Sequence, residues 1–260
     1  MHPFVVVSPM NSDVHAAIHA NRIAAAHRVV ELNAHAATDE VGGWVLVDAS
    51  TPEMPVFNQA MVAGQHEVDL TTPERWYADR GSPFRLVLRD DDDSTLIAAA
   101  MDAGYRTERM EPALFIEMVN VVPALASDLD IREVSDAEER QEYGAVGWRR
   151  DGLEHIGVAI AERAHQLGFV MLLGRLGEDP VATSMAVLTG GLVGLYNVGV
   201  ESEYRRRGLG AFITWAAVEA GRRRGATTAW AGATEMGHGV YEGLGFRPLF
   251  SYNVLVREKT

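Results

Sequence analysis

One stretch of the chain sets the residue types of an anion site in working order. It runs Tyr196-Asn197-Val198-Gly199-Val200, then residues 201–204, then Arg205-Arg206-Arg207-Gly208-Leu209-Gly210-Ala211. This reads as the end of a strand, a basic glycine loop and the first turn of a helix. Helix N-termini present unpaired N–H groups and the positive end of the dipole, and so hold anionic phosphates. Gly208 and Gly210 remove the Cβ atoms that would keep a phosphate off the backbone. The loop lacks the Gly-Lys-Ser/Thr ending of a P-loop and the three glycines of a dinucleotide fold. The chemistry indicated is a pyrophosphate cradle. Taken alone, the loop leaves open a second reading, a surface turn with three solvated arginines.

The elements that must position this loop follow from periodicity. Residues 192–200 read as a strand, joined through a Gly190-Gly191 hairpin to a strand at 181–188, with another at 169–174. Leu209, Phe212, Ile213, Ala216, Ala217 and Ala220 recur at helical spacing, so residues 209–221 form an amphipathic helix. A strand at 227–231, a helix at 235–244 and a strand at 251–256 complete this half. It opens with an alternating strand at 129–134. Caps at Ser135 and Asp136 follow, with Ser135-x-x-Glu138 in capping-box form, and then a helix at 154–166. The first half reads as a long helix at 13–37, strands at 44–47 and 56–62, and a helix at 73–80. A strand at 84–89, an acidic turn at 90–93, a helix from Ser94 to about Gly104 and a strand at 113–116 follow. The pattern weakens at 120–128, where a linker divides the chain into residues 1–125 and 126–260.

Arg205-x-x-Gly208-x-Gly210 resembles the Gln/Arg-x-x-Gly-x-Gly/Ala loop of the GNAT N-acetyltransferase superfamily. Tyr241-Glu242-Gly243-Leu244-Gly245-Phe246, 31 residues beyond Gly210, resembles the same family's Tyr-x-x-x-Gly-Phe motif. Order, spacing and local structure agree over residues 129–260. The resemblance implies an α/β acyl-CoA N-acyltransferase fold, a mixed central sheet flanked by helices. It implies acetyl-CoA as cosubstrate and no metal. Backbone groups at Val198, Gly199 and Val200 would hold the pantetheine arm and thioester, as an added strand does. Arg205 and the amides of Arg206, Arg207, Gly208, Leu209, Gly210 and Ala211 would take the pyrophosphate. Tyr241 would protonate the departing sulfur, since a phenol of pKa ~10 carries its proton at neutral pH. The family often has an asparagine seven residues before that tyrosine; here the position is Thr234, counted with the cofactor-binding residues. Some branches carry a glutamate base on the strand before the loop, and residues 191–200 offer none. Asn197, able to position a water, and Glu201, just past the strand, complete the catalytic set.

The halves also resemble each other. Asn58 parallels Asn197, Gly81 parallels Gly225, and Gly104-Tyr105-Arg106 parallels Gly245-Phe246-Arg247. Where the cradle should be, the first half has Ala63-Gly64-Gln65-His66-Glu67, and Ala100 stands in place of Tyr241. Residues 40–118 therefore read as a degenerate copy without cofactor chemistry, similar to tandem members of the family. Chance likeness of short strand–helix units is the alternative.

Composition bounds the rest. The chain has 260 residues, 47% of them hydrophobic, which is a globular balance. No cysteine is present, which excludes disulfides, a cysteine nucleophile and a thiolate metal site. No apolar run approaches the ~20 residues of a membrane span. Residues 1–8 show no basic region before a long apolar core, so no leader and a cytoplasmic location are expected. The formal net charge is −13, of which −10 falls in residues 1–125. That disfavours nucleic acid and suits a cationic acceptor, either a small-molecule amine or a protein amine. A homodimer is left open. His15 and His19 have metal-ligand spacing but lack the accompanying glutamate, and they read as solvated helix residues. Two other functions compete with acetyl transfer to a primary amine by direct attack. One is a non-catalytic acyl-CoA sensor. The other is a nucleic-acid binder using Arg205-Arg206-Arg207 and Arg222-Arg223-Arg224.

Overall fold

An alanine-rich run free of Gly and Pro forms helix α1 (Met10–Val30), as its composition favours. The computed structural model describes residues 10–31, 35–50, 55–64, 68–118, 127–149 and 152–257. The helix stops short of the expected residue 37. Instead β1 (Ala37–Val41) pairs antiparallel with β2 (Trp44–Asp48). The cause is Gly42-Gly43, both at positive φ, which make the two-residue turn that matches strand twist. The expected strand at 56–62 begins only at β3 (Gln59–Val62), behind a 3-10 turn at Pro55–Phe57. Helix α2 (Thr71–Ala78), β4 (Arg85–Arg89), α3 (Ser94–Asp102) and β5 (Arg106–Glu117) complete the first half. Most of the expected linker, and residues 65–67 of the shortened loop, lie outside the described residues.

The second half runs β6 (Asp130–Glu133), α4 (Ala137–Trp148), α5 (Glu154–Gln166), β7 (Val170–Leu176), β8 (Asp179–Thr189) and β9 (Leu192–Val200). It ends with α6 (Leu209–Arg222), β10 (Thr228–Gly232), α7 (Glu235–Gly243) and β11 (Arg247–Val256). The cap of α4 sits one residue later than expected. Asp136 accepts from the Glu139 N–H, while the Glu139 carboxylate reaches back to the N–H and hydroxyl of Ser135. Glu139, not Glu138, is thus one turn above Asp136 and closes the box.

All eleven strands form one mixed sheet, in the order β1-β2-β3-β4-β11-β5-β10-β9-β8-β7-β6. The last strand of each half is exchanged. β5 lies against β10, and β11 lies against β4. Where they meet, Arg106 faces Val256 and Arg247 faces Phe115, a near-twofold relation between the halves. The sheet therefore runs unbroken across the 125/126 boundary. Helices α1, α4 and α5 pack on one face, over cores that include Phe115, Trp230, Met171 and Met185. Leu114, Ala229, Leu86 and Leu88 face the layer of α2, α3, α6 and α7.

The repeat holds as topology, β1–β5 against β7–β11, but one residue correspondence does not. The parallel pairing ends at Met61↔Val87 in the first half and at Leu195↔Ala231 in the second. Met61 therefore corresponds to Leu195. Asn58 lies before its strand, where its side chain binds the Ala49 N–H and the Pro83 carbonyl, while Asn197 lies beyond the paired stretch.

Helix α1 corrects another expectation. It turns polar groups toward the sheet. His19 is 7% exposed, and its Nε2 lies 2.7 Å from the Val62 carbonyl, while His15 Nδ1 lies 2.6 Å from Asp91. Asn21 binds the Val187 carbonyl, Thr189, the Tyr196 hydroxyl and the Trp230 indole. The imidazoles are sheet contacts, not solvated groups. Among the described residues no cluster of metal-ligating side chains forms. No helix among them is long and apolar enough to cross a membrane.

Candidate active site

The two parallel strands β9 and β10 separate before they end. Their pairing stops at Leu195↔Ala231, so residues 196–200 have a strand partner only in β8. On the β8 side, Asn197 and Val198 together oppose the single residue Ser184, a β-bulge. Asn197 takes φ 46°, a left-handed conformation that asparagine tolerates better than most residues. Its carbonyl accepts from the Thr183 hydroxyl, and its side-chain amide donates to the Tyr143 hydroxyl. The Glu201 N–H donates to the Val181 carbonyl. Antiparallel alternation then aims the N–H and C=O groups of Val198 and Val200 the other way, into the cleft between β9 and β10. Apart from the Val200 carbonyl, which Arg205 takes, this edge has no strand partner in β10, and an extended amide-bearing chain can join it.

The loop that follows turns on two left-handed residues, Arg206 at φ 64° and Gly208 at φ 81°. Gly208 caps α6 without a side chain, and among the described residues nothing accepts from the N–H groups of residues 206–210. Consecutive amides in such a turn line an anion-binding concavity. A Cβ on Gly210 would lie 3.9 Å from Val200 and 4.0 Å from Val240, in the space between the strand end and α7. Both are ordinary contact distances, so packing alone does not demand a glycine here. Arg205 closes the loop from behind, its Nε donating to the Val200 carbonyl at 2.9 Å. Arg206 and Arg207 are exposed, with the Arg207 guanidinium 5.8 Å from the Tyr204 ring. The second arginine triplet lies at the other end of α6, about 20 Å away at 1.5 Å per residue. There Arg222 pairs with Glu219 and Arg224 with Glu133. The two triplets do not make one basic face.

Tyr241 stands on α7, against Phe246, in the core cluster on which Val198 and Val200 also pack. Its side chain is buried, yet its hydroxyl has no acceptor among the described residues. Burial, and then the field of Glu111, push this hydroxyl up to about 12, so it carries its proton at neutral pH. The other expected site residues have local duties. Thr234 caps α7, its hydroxyl accepting from the Gly237 N–H. The Glu201 carboxylate pairs with Arg149 at 2.7 Å. Leu209 is buried in the core, Ala211 N–H bonds the Gly208 carbonyl, and Gly199 faces β8 opposite Thr183.

One acid at the site was not read from the sequence. Glu111 comes from β5, the exchanged strand of the first half. A Cβ on Gly232 would clash with its carboxylate, which places it where β9 and β10 part. Burial works to raise this carboxyl, but the Arg22 guanidinium, 2.9 Å away, outweighs it and holds the group below its ordinary range. The only local signal was Arg109 and Glu111 two apart on a strand, hence on one face.

The sequence matches the family described as "Probable histone acetyltransferase Rv0428c C-terminal" over residues 23–254. No curated protein matches it significantly. The fold is similar to that of a GCN5-related N-acetyltransferase from Kribbella flavida, with TM-score 0.72 and 20% identity over 94% of this chain and 96% of that one. It is similar to a tandem GNAT protein from the clavulanic acid biosynthesis pathway, with TM-score 0.58 and 13% identity over 82% and 77%. It is also similar to a GCN5-related N-acetyltransferase from Sphaerobacter thermophilus, with TM-score 0.55 and 16% identity over 84% and 81%.

Proposed function

The chain belongs to the Rv0428c C-terminal acetyltransferase family, within the GNAT superfamily, and from that premise we propose that it moves an acetyl group from acetyl-CoA to a primary amine by direct attack. The observation that carries this reading is the run of unpartnered amides at residues 206–210, set beside an open strand edge. A pyrophosphate satisfies the first and a pantetheine arm the second.

Bound acetyl-CoA supplies an activated acyl carbon and a thiolate leaving group. Val198 and Val200 hold the amide-bearing arm at the cleft. The amides of residues 206–210 hold the pyrophosphate, and Arg206 and Arg207 add positive potential around it. Asn197, fixed by Tyr143 and Thr183, keeps the bulge that opens the cleft. The amine lone pair forms the C–N bond as the C–S bond breaks. The nitrogen loses its proton to solvent, Tyr241 gives its proton to the sulfur, and the phenolate regains one from water.

A ligand held only by the folded chain stabilises it by RT ln(1 + [L]/Kd), about 2.7 kcal/mol at a hundredfold excess over Kd. For a chain of this size that is roughly 5–10 °C in melting temperature. Acetyl-CoA should produce such a shift, and free coenzyme A should be released when amines are added. No shift at millimolar acetyl-CoA would sink the proposal. A shift with no turnover over a broad amine panel would make the protein a cofactor sensor instead.

A further inference from the structure

A cavity of about 300 Å³ opens on the α1, α4 and α5 face of the sheet, directly beside the bulge. Its walls come from both halves: α1, β3 and β5 on one side, α4, α5, β8 and β9 on the other. Most of the lining is apolar, with Phe57, Trp148, Phe169 and Met185 forming its body. The size lies at the small end of ligand sites, which run ~300–1,000 Å³. Asn197 and Tyr196 bring it to the cleft where the thioester would sit.

The charged groups on its lining are Arg22, Arg109 and Glu111, two guanidiniums and one carboxylate. Glu111 is already shared, 2.9 Å from Arg22 and 3.8 Å from Arg109, and Arg109 also pairs at 2.8 Å with Glu108, whose two oxygens are held by Arg85. Arg22 is 7% exposed, and its Nε is buried without a partner. Over the network at the polar end, Arg22, Arg85 and Arg109 face Glu108 and Glu111, which leaves one positive charge in excess. A bare ammonium would meet repulsion there, whereas a carboxylate would restore neutrality. The same positive excess favours the neutral amine over the ammonium, which is the form that attacks.

We propose that this cavity is the acceptor site and that the acceptor is an α-amino acid with an apolar, preferentially aromatic, side chain. The proposal rests on the acetyltransferase reading above. The carboxylate faces Arg109 and Arg22, the side chain fills the Trp148 and Phe169 end, and the α-amine faces the cleft at Asn197. Transfer then converts amino acid and acetyl-CoA into N-acetyl amino acid and coenzyme A, with one proton passing to solvent and one to the sulfur.

The test uses the full chain with L-phenylalanine, L-leucine, 2-phenylethylamine and a lysine-containing peptide, measuring coenzyme A release. Calorimetric binding of L-phenylalanine to the chain loaded with coenzyme A gives a readout that needs no turnover. L-phenylalanine should bind and turn over at least tenfold more efficiently than 2-phenylethylamine, which shares its body but lacks the carboxylate. Arg109→Gln, at a half-exposed position, should lower that preference about tenfold. Ala26→Phe, which fills the cavity, should weaken phenylalanine binding while the acetyl-CoA thermal shift persists. Equal or better use of 2-phenylethylamine or of the peptide, with acetyl-CoA still bound, overturns this acceptor and leaves the acetyltransferase intact. Absence of any acetyl-CoA binding would instead remove the reading beneath it.

Discussion

The proposed mechanism makes Tyr241 the acid. Burial pushes its hydroxyl up to about 12, so it stays protonated at neutral pH, and no acceptor among the described residues competes for that proton, although the higher value makes it a weaker acid than a free phenol. Tyr241→Phe removes that proton and little packing. It should lower kcat roughly a hundredfold or more, in the range of lost general acids, while KM for acetyl-CoA stays within about twofold. Pre-steady-state kinetics must show that chemistry limits the rate. A kinetically silent variant under that condition would refute the role. The Arg205 to Ala211 loop was legible in the sequence as structure, because strand end, glycine turn and helix start are contiguous. Glu111 was not, because its meaning comes from Arg22, 89 positions away, and from strand β10, which no short-range pattern links to β5. Thr234 was read by position as a cofactor contact, and in the structure its hydroxyl also accepts the cap bond of α7.

Helix α1 shows what periodicity hides. Its polar residues bond the sheet face, so the usual rule that polar means solvent misread His15 and His19. Burial lowers His19 from its ordinary 6.5 to about 4. Above pH 6.5 the imidazole is neutral in both folded and unfolded chains and contributes no pH dependence. As the pH falls from 6.5 toward 4, the unfolded chain takes up a proton that the folded chain refuses, so stability declines. The loss by pH 4.5 should be about 2–3 kcal/mol. His19→Gln should lose less stability than the parent between pH 7 and 4.5 in urea denaturation. Equal losses would show that His19 is not the group responsible. Strand and helix types were otherwise readable, since alternation and 3.6-residue spacing survive in β9, α6 and β10. Strand β1 was missed because Thr38, Asp39 and Glu40 carry no apolar alternation; the turn at Gly42-Gly43 specifies it.

At the scale of the whole molecule, the near-twofold arrangement raises the question of two cofactor sites. The two halves share strand order and the parallel pair that flanks the cleft, but they treat the open edge differently. In the second half the Val198 and Val200 edge has no strand partner in β10, its Val200 carbonyl being bonded by Arg205, and it leads to amides with no acceptor among the described residues. In the first, the Val62 carbonyl is bonded by His19 from α1, and the adjoining cavity is lined by Asp91, Asp92 and Asp93 against Arg89. A pyrophosphate entering there would meet more carboxylate than guanidinium. Net charge points away from the acceptor proposed for the cavity beside the bulge. The chain carries −13 overall, yet the cavity beside the bulge has a positive excess. Global charge describes solubility, and the few groups at a site decide what it takes.

Isothermal titration of the intact chain with coenzyme A tests the central claim most directly, repeated on a Gly208→Glu, Gly210→Glu variant whose unliganded melting is checked first. The structure predicts one site per chain, lost when the two carboxylates enter the cradle. Two sites per chain, or binding undiminished in a folded variant, would contradict a single cofactor site at the β9–α6 junction.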